Sequence, residues 1–306
     1  RRQRQMCIRD RDELYLVVGT DMFLSFREWH EYKYLLDNCT LAVLSRETDD
    51  RGEILSFKRS LENEDGARIR LIEHEPLPMS SAEIRAMLPK AGGAELLDDG
   101  VYSLIIKNRW YAAKPGLRWL REKVRPYLTE KRARHVAGCE EQAVKLARRW
   151  GADVYEAAEA GILHDITKKL SDEEQLIMCD KYGIILDAAE RRNPRILHAR
   201  TGAALARELF GIPDGIYSAI RWHTTGKPDM SLMEKIIYLA DFTEPTRDFE
   251  GVEPLRKLCF DDIDRAMELG LRMSLEEIRS RGEDAYKDTV DAYQWYKKEQ
   301  GGSATC

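Results

Sequence analysis

The segment Asp153-Val-Tyr-Glu-Ala-Ala-Glu-Ala-Gly-Ile-Leu-His-Asp165 is a helix-forming run that ends in an adjacent histidine and aspartate, His164 and Asp165. Four of the six histidines lie between residues 135 and 223, and a further aspartate follows them. The other members of this ordered set are His135, His198, His223 and Asp241. Imidazole nitrogens and carboxylate oxygens together form the ligand set of a divalent transition metal. The order of these residues therefore predicts a metal centre.

The ligand candidates fall where helices can direct them to one place. His164 and Asp165 lie at the C-terminal end of a predicted helix, where the last turn can point neighbouring side chains toward a single site. His223 shares a helical face with an apolar stripe. Asp241 ends another helix and faces the bundle, and an ionised aspartate there needs a cation as partner. We therefore expect the centre to lie inside a helical bundle.

The chemistry of the ligands narrows the choice of metal. No cysteine stands among them, which excludes a structural zinc site of the cysteine type. Nitrogen and oxygen ligands with open positions suit Fe, Mn or Co, with Zn as an alternative. One metal can be held by His135, His164, Asp165 and Asp241. Asp165 can also bridge to a second metal held by His198 and His223, and two such ions about 3.5–4 Å apart would activate water and polarise a phosphoryl oxygen.

Cations near these ligands predict a phosphate-bearing substrate. Arg132 is one turn before His135, Lys168 is one turn after Asp165, and Arg247 follows Asp241 by about two turns. Aromatic side chains could stack a purine base. The candidates are Trp222, Tyr293, Trp295 and Tyr296, for most of which packing in the core is the competing interpretation.

The bulk composition bounds the remaining functions. The chain has 306 residues, 43% hydrophobic and 34% charged, with a net charge of −5, so it carries no nucleic-acid footprint. No apolar run approaches the roughly 20 residues of a membrane span. Six cysteines without a C-x-x-C pair favour a reduced, cytoplasmic protein. The polar start without Met suggests that an N-terminal segment is missing. We expect a small-molecule nucleotide as partner, neither nucleic acid nor a membrane, and the sequence also allows a homodimer.

Two halves with different periodicities predict two domains, residues 1–114 and 117–300. The first half has β-rich runs at 14–18, 40–44 and 69–72 between helical stretches, which indicates a parallel sheet covered on both faces. Asp21 and Arg46 follow the first two runs, where such sheets bind ligands. Beyond the break at 114–116 the strand signals vanish. A capping-box pattern predicts one helix start in the first half, at Ser80, and three beyond the break, at Ser171, Ser231 and Ser274.

Six stretches of the second half resemble one bacterial family. They are Lys131-Arg-Ala-Arg-His-Val136, Leu163-His-Asp-Ile-Thr-Lys168, Leu197-His-Ala199, Ile220-Arg-Trp-His-Thr-Thr-Gly226, Ile237-Tyr-Leu-Ala-Asp-Phe-Thr-Glu-Pro-Thr-Arg247 and Asp288-Thr-Val-Asp-Ala-Tyr293. Over residues 118–298 they look like the symmetrical diadenosine-tetraphosphatase branch of the HD superfamily. The resemblance implies an all-α HD-domain bundle. It also implies an iron-dependent hydrolase that cleaves diadenosine tetraphosphate in the middle to yield two ADP.

The same resemblance implies roles for individual residues. The implied iron ligands are His135, His164, Asp165 and Asp241. The implied contacts to the nucleotide diphosphate are Arg132, His198, His223, Arg247, Asp288 and Thr289. His198 and His223 thus become phosphate-facing groups, with the second-metal role as the alternative. The candidate catalytic residues are Asp165, Lys168, His198 and His223.

The first half resembles the later half of bacterial nicotinate-mononucleotide adenylyltransferase, a Rossmann-like α/β nucleotidyltransferase of NAD synthesis. The resemblance rests on Val18-Gly-Thr-Asp21, Trp29-His30 and Ser80-Ser-Ala-Glu-Ile-Arg85. It implies a nicotinate-nucleotide and ATP site, to which we also assign Arg46. That site comprises Gly19, Asp21, Trp29, Arg46, Ser80, Ser81 and Arg85. The family usually has Thr where this chain has Ala82, and its opening motif G-x-F-x-P-x-H-x-G-H is absent. We expect a natural fusion that lacks an N-terminal segment, with a degenerate transferase as the alternative.

Three functions compete at this point. The first is a metal-dependent hydrolase of diadenosine tetraphosphate in a fusion with the transferase. The second is an adenylyltransferase, inactive without its opening motif, with a companion helical half that acts on another nucleotide such as a guanosine tetraphosphate alarmone or a cyclic dinucleotide. The third is a nucleotide sensor that keeps the metal site without turnover.

Overall fold

The computed structural model describes residues 13–44, 51–72, 80–187, 190–191 and 194–302. The chain divides into two compact units, Arg1–Ser81 and Ala82–Cys306. Within the described residues, none of the helices combines the length and the apolar character that crossing a membrane requires. The protein is mostly helical, and the small parallel sheet near its start is consistent with the predicted Rossmann-like part.

The N-terminal unit is built on three parallel strands. In chain order its elements are β1 (Tyr15–Gly19), α1 (Thr20–Leu24), α2 (Tyr32–Asn38), β2 (Thr40–Leu44), α3 (Arg51–Asp65) and β3 (Arg68–Ile72). Strand β2 lies in the middle, and its Val43 is opposite Val18 of β1 and Leu71 of β3. Helices connect the strands, as parallel pairing requires. The predicted strands and their parallel direction are confirmed.

The expectation that both faces of the sheet are covered holds only for the central strand. Residues Leu41, Ala42 and Val43 of β2 are buried in succession. The edge strands differ, because Val17 of β1 is 61% exposed and Ile72 of β3 is 41% exposed. A three-stranded sheet has two edge strands for one central strand, and an edge strand loses cover on its outer side.

The second unit is helical. Its helices are α4 (Ser81–Met87), α5 (Asp99–Asn108), α6 (Leu117–Val124), α7 (Glu130–Trp150), α8 (Val154–Leu163), α9 (Asp172–Lys181), α10 (Leu197–Phe210), α11 (Asp214–Trp222), α12 (Leu232–Thr243), α13 (Val252–Asp261), α14 (Ile263–Ser280) and α15 (Lys287–Gly302). The long helix α7 packs against α8, α12 and α13. Its buried face contributes Cys139, Ala143, Leu146 and Ala147 to the core.

Side-chain caps begin several of these helices where the sequence indicated. Ser171 and Ser231 each form a complete capping box, with Glu174 and Glu234 respectively. The predicted start at Ser274 is wrong, since this serine lies inside α14, which begins at a cap on Asp262. The apolar face of α14 runs without a break from Ile263 through Leu275, and its burial overrides the local capping pattern.

The division between the units falls earlier than the sequence break at 114–116. Residues after Ser81 contribute Leu88, Tyr102 and Ile106 to the core of the helical unit. Arg109 adds polar anchors, because its guanidinium donates to the backbone oxygens of Phe210 and Gly211 and pairs with the buried Glu159. Packing thus assigns residues 82–114 to the helical unit, although their alternating pattern places them with the first half. The predicted domain assignment of 1–114 as a transferase part stays a prediction.

Candidate metal centre

The six predicted ligands come together within the helical unit. His135 is in the second turn of α7, His164 caps the C-terminus of α8, and Asp165 follows it. His198 is the second residue of α10, His223 caps α11, and Asp241 is in the last turn of α12. All are buried except Asp241, which is partly exposed. Five helix segments that are distant in sequence therefore deliver their polar side chains to one place.

Two overlapping groups in this cluster have the spacing of metal ligands. The first is His135, His164 and Asp241, and the second is His164, Asp165 and His223, with one ligand atom from each residue within 4.8 Å of the others. In the first group, His135 Nε2 lies 3.0 Å from Asp241 Oδ1 and 3.3 Å from His164 Nε2. These three ligand atoms therefore converge on one place.

Asp165 lies between the two sides of the cluster. Its Oδ2 is 3.4 Å from His164 Nε2 and 3.5 Å from His135 Nε2. Its Oδ1 is 3.3 Å from His198 Nε2 and 3.8 Å from His223 Nε2. The two oxygens of one carboxylate thus face different pairs of histidines. This is the arrangement that a bridging carboxylate requires.

Backbone oxygens on the side away from the centre fix the orientation of three of the imidazoles. The Nδ1 atoms of three histidines lie 2.7–2.8 Å from the backbone oxygen three residues earlier, and in each case Nε2 is left for the centre. These pairs are His164 with Gly161, His198 with Arg195, and His223 with Ile220. His223 Nε2 is buried and has no hydrogen-bond partner in the described part of the chain. Such an orphaned nitrogen beside carboxylates fits a ligand for a cation.

The protonation tendencies of the two aspartates and of His223 suit a divalent cation, whereas, against the effect of burial, the Asp165 carboxylate raises the pKa of His164. Burial alone would raise the pKa of Asp165, but His164, His198 and Arg132 hold it well below its usual range. Asp241 behaves in the same way, because His135 and Arg247 outweigh the effect of burial. Burial lowers the pKa of His223 to about 4, and the nearby charge of His164 adds to this effect. Ionised carboxylates and a neutral imidazole are the forms that bind metals.

The three predicted cations lie beside the ligands. Arg132 donates to Asp165 Oδ2 at 2.7 Å, and Arg247 donates to Asp241 Oδ1 at 2.7 Å. Lys168 Nζ is 3.2 Å from His198 Nδ1, and burial lowers the pKa of this lysine. The structure therefore brings Arg132, Lys168 and Arg247 to the rim of the cluster, as the sequence predicted.

A cavity of about 590 Å³ opens beside the centre. Asp241, His223 and Arg247 line its polar end. Its apolar lining consists of Tyr238, Phe242, Phe249 and Met273. The rings of Phe242 and Phe249 meet edge to face, with centroids 5.3 Å apart. These aromatic residues were not among those predicted from the sequence, although Phe242 directly follows Asp241 and Phe249 lies two residues after Arg247.

The aromatic residues that the sequence suggested do not line this cavity. The Tyr296 hydroxyl accepts a hydrogen bond from the Met230 amide, and its ring is buried in the core. The Trp222 ring lies under the Arg221 guanidinium, and Trp295 is 40% exposed at the surface. Tyr293 packs against the core. For Tyr296 and Tyr293 the competing interpretation, core packing, describes their position.

Asp288 and Thr289 lie at the N-terminal end of α15, outside the ligand cluster. Thr289 is buried, and burial raises the pKa of Asp288, while Arg221 opposes that rise. Neither side chain hydrogen-bonds to one of the six ligand residues in the described part of the chain. Their nucleotide contacts stay a prediction.

The residues of the predicted nicotinate-nucleotide site are spread over both units. Gly19 ends β1, Asp21 lies in the first turn of α1, and the Trp29 ring packs against Phe26 at 5.0 Å. Ser80 and Ser81 stand at the start of α4, and Arg85 in the same helix lies over the ring of Tyr111. Arg46 lies outside the described residues. The site as a whole stays a prediction.

Comparison with known proteins adds independent findings. Residues 132–246 match the family model described as HD domain. The chain is 38% identical over 176 residues to the symmetrical bis(5'-nucleosyl)-tetraphosphatase of Bacillus subtilis (strain 168), a match that covers 56% of this chain and 92% of the relative. It is 25% identical over 267 residues to a probable nicotinate-nucleotide adenylyltransferase/Ap4A hydrolase of Mycoplasma genitalium, covering 85% of this chain and 70% of that protein.

One solved structure agrees with these relatives. It is the crystal structure of a predicted HD superfamily hydrolase involved in NAD metabolism from Clostridium acetobutylicum. The two chains superpose with a TM-score of 0.57 at 35% identity, over 59% of this chain and 96% of the other.

Proposed function

Because this chain belongs to the HD-domain family of bacterial symmetrical bis(5'-nucleosyl)-tetraphosphatases, we propose that its helical unit hydrolyses diadenosine tetraphosphate to two ADP. The observation that carries the proposal is the buried cluster of four histidines and two aspartates beside an open, partly aromatic cavity. The relatives of this chain support a hydrolase of the HD type, and the metal dependence and the products are our proposal.

The metal would be held by the first group together with Asp165. Its ligands would be His135, His164, Asp165 and Asp241. The orphaned nitrogen of His223, together with His198 Nε2 at 3.3 Å from Asp165 Oδ1, supports a second ion that would be held by Asp165, His198 and His223. Bound there, iron, or Mn, Co or Zn in its place, supplies a Lewis acid for a phosphoryl oxygen and lowers the pKa of water toward neutrality. The two oxygens of the Asp165 carboxylate lie near different pairs of histidines. This favours a bridging role for Asp165, with His198 and His223 as ligands of a second ion, over a purely phosphate-facing role for these two histidines.

Three cations would hold the phosphate chain. Arg132 and Arg247 already point their guanidinium groups at the carboxylates of the cluster. The planar guanidinium pairs with phosphate oxygens as well as with carboxylates, so both arginines can hold a phosphate that lies against the centre. Lys168 lies on the His198 side and would stabilise charge that develops on a phosphoryl oxygen.

The cavity would take one nucleoside of the substrate. Phe242 and Phe249 offer ring faces and edges for stacking a base, and Arg247 lines the same cavity and donates to Asp241 of the centre. A nucleoside diphosphate bound in this direction presents its terminal phosphorus to the centre. Water then adds to that phosphorus, and the bond to the bridging oxygen of the other half breaks. Each half leaves as ADP, so the cleavage is symmetrical.

The test combines metal analysis with product identification. Purified protein should contain one or two transition-metal ions per chain, and diadenosine tetraphosphate should give ADP as the only nucleotide product. A panel of dinucleoside polyphosphates, a guanosine tetraphosphate alarmone and a cyclic dinucleotide then defines the substrate class. ATP plus AMP as products would place the cleavage elsewhere. Tight nucleotide binding without turnover would favour the sensor.

A second candidate function concerns the N-terminal unit. Gly19 ends the first strand of its parallel sheet and Asp21 follows it, and the Mycoplasma relative is named as both a transferase and a hydrolase. We propose that this unit is part of an adenylyltransferase acting on nicotinate mononucleotide. The 306 residues lack G-x-F-x-P-x-H-x-G-H, whose histidines would stabilise charge on the transferred adenylyl group.

We therefore expect no nicotinate adenine dinucleotide when the 306-residue chain is incubated with ATP and nicotinate mononucleotide. Chromatographic detection of the dinucleotide, or of pyrophosphate, checks this expectation. If a longer natural chain supplies the motif, activity should return with it. Product formed by the 306 residues alone would show that another group replaces the motif.

A further inference from the structure

His135 is oriented differently from the other three histidines. Their Nδ1 atoms pair with backbone oxygens, whereas His135 Nδ1 lies 3.0 Å from Glu244 Oε1. The difference follows from position. His164 and His223 cap helix ends and His198 begins a helix, but His135 lies within α7, where backbone oxygens are already used by the helix. Only a side chain can reach behind this imidazole.

Several hydrogen bonds hold the buried Glu244 in position for this contact. It directly follows α12, and its residue surface is fully buried. The backbone amide of Thr246 donates to Glu244 Oε2 at 2.6 Å, and the Thr246 hydroxyl donates to Oε1. Arg256 donates to the backbone oxygen of Glu244 at 2.8 Å. The carboxylate is therefore held in place independently of His135.

The helix that carries His135 makes room for this carboxylate. A β-carbon placed on Gly138 would lie 2.4 Å from Glu244 Oε2 and 3.2 Å from its Cδ. Gly138 is one turn after His135 and has ordinary helical backbone, so its lack of a side chain serves the close approach and not the backbone conformation. Glycine costs roughly 1 kcal/mol relative to alanine inside a helix, and its presence here needs a reason.

We propose that Glu244 is the positioning residue of the metal centre, which keeps the proton of His135 on Nδ1 and presents the Nε2 lone pair to the ion, with Gly138 as the residue that admits it. This inference rests on the metal centre proposed above. Carboxylates behind ligating histidines fix the tautomer and strengthen the ligand. Because Glu244 touches only one of the four imidazoles, its effect should fall on the group formed by His135, His164 and Asp241.

Two variants disturb the contact in different ways. Glu244→Gln removes the charge and can turn an amide N–H toward Nδ1, which favours the tautomer with its proton on Nε2. Gly138→Ala keeps the charge and pushes the carboxylate away. We expect the Kd for Co²⁺, measured by the visible absorption of the bound ion, to rise about 10–100-fold in Glu244→Gln. Gly138→Ala should change it in the same direction.

Matched controls separate positioning from loss of stability. Glu234→Gln makes the same change at a buried glutamate that caps α12 through Ser231, away from the cluster. Gly215→Ala adds a methyl group to a helical glycine with open space around it. Both should keep the wild-type Kd for Co²⁺, even where Glu234→Gln lowers the melting temperature. Circular dichroism confirms that each variant is folded.

Side-chain ¹⁵N NMR tests the tautomer directly in the full chain loaded with Zn²⁺, because without an ion His135 Nε2 lies 3.0 Å from Asp241 Oδ1 and can keep a proton for that carboxylate. In the wild type His135 should carry its proton on Nδ1, with Nε2 left to the ion, and in Glu244→Gln only the His135 Nδ1 signal should change. Wild-type Co²⁺ affinity in folded Glu244→Gln, or an equal loss in Glu234→Gln, would overturn the inference. Failure of the proposed function looks different, since the wild-type chain would then bind Co²⁺ and leave diadenosine tetraphosphate uncleaved.

Discussion

Asp165 is the single residue on which both sides of the cluster depend. Its Oδ2 faces His135 and His164, and its Oδ1 faces His198 and His223. In the sequence, Asp165 is identified by its adjacency to His164 within the ordered set of histidines and aspartates, and by the resemblance to the HD superfamily. Which histidines lie near each of its two oxygens depends on the folded structure, because the four imidazoles come from separate helices.

We expect Asp165→Ala to lose metal from both groups and to abolish hydrolysis, because a centre with open positions cannot spare a ligand. His223→Ala should keep the ion of the first group and lose roughly 10²–10³-fold in turnover, the size of removing one preorganised group. Metal content by mass spectrometry and the release of ADP check both variants. Full metal and activity in Asp165→Ala would refute the assignment. If His223→Ala strips as much metal as Asp165→Ala, both ions depend on it.

Phe249 tests the nucleoside cavity at the same scale. Its ring meets Phe242 and lines the cavity, and stacking of a base on an aromatic ring contributes about 1–3 kcal/mol. We expect Phe249→Ala to raise the KM for diadenosine tetraphosphate about 5- to 100-fold. Trp295→Ala, an exposed aromatic outside the lining, is the control and should leave KM unchanged. Equal KM values for both variants would move the base out of this cavity.

At the scale of elements, helix ends carry the chemistry. His164 and His223 cap α8 and α11, and His198 begins α10. A helix C-terminal end leaves backbone oxygens in reach of a following side chain, which is how the imidazoles of His164 and His223 are anchored. The prediction that His164 lies at a helix C-terminal end is confirmed.

Two serines with the same sequence pattern should respond differently to mutation. Ser171→Ala removes a complete capping box and should cost about 1 kcal/mol of unfolding free energy. Ser274→Ala lies inside α14, where the better helix propensity of alanine offsets the lost contact with the Tyr238 hydroxyl. Its effect should stay within about 0.5 kcal/mol. Urea unfolding followed by circular dichroism measures both, and a larger loss in Ser274→Ala would contradict the assignment of Ser274 to a helix interior.

For the whole molecule, the unit boundary decides which fragment folds. A fragment of residues 82–306 keeps Leu88, Tyr102 and Ile106 in its core, whereas a fragment that begins at 117 loses them. Each of these side chains contributes about 1.5–3 kcal/mol by its burial. We expect the 82–306 fragment to bind Co²⁺ and to melt near the transition of the intact helical unit. The fragment that begins at 117 should melt at a much lower temperature. Equal melting temperatures would instead support the domain boundary at 114–116 that the sequence predicted.

Local patterns allowed the prediction of much of this architecture, and long-range packing accounts for the rest. The strand at 40–44 and the caps on Ser171 and Ser231 were predictable, because their patterns lie in neighbouring residues. The clustering of the four histidines and two aspartates was predictable from their residue types and their order along the chain. Phe249 and Glu244 were not, since their roles arise from contacts with Phe242 and His135 in other segments. The helix start predicted at Ser274 was wrong for the same reason, because the burial of the apolar face of α14 depends on packing against other helices.

His164 belongs to both ligand groups, and this sharing limits how the protein fills with metal. Its Nδ1 is engaged with the Gly161 oxygen, so Nε2 offers one lone pair. One lone pair serves one ion at a time. The two proposed positions would therefore compete for His164, and an ion held by Asp165 and His223 would take His198 as its third ligand. A titration of the metal-free protein with metal should accordingly show a tight binding step followed by a weaker one. When metal is scarce, the position beside His223 should empty before the position beside His135.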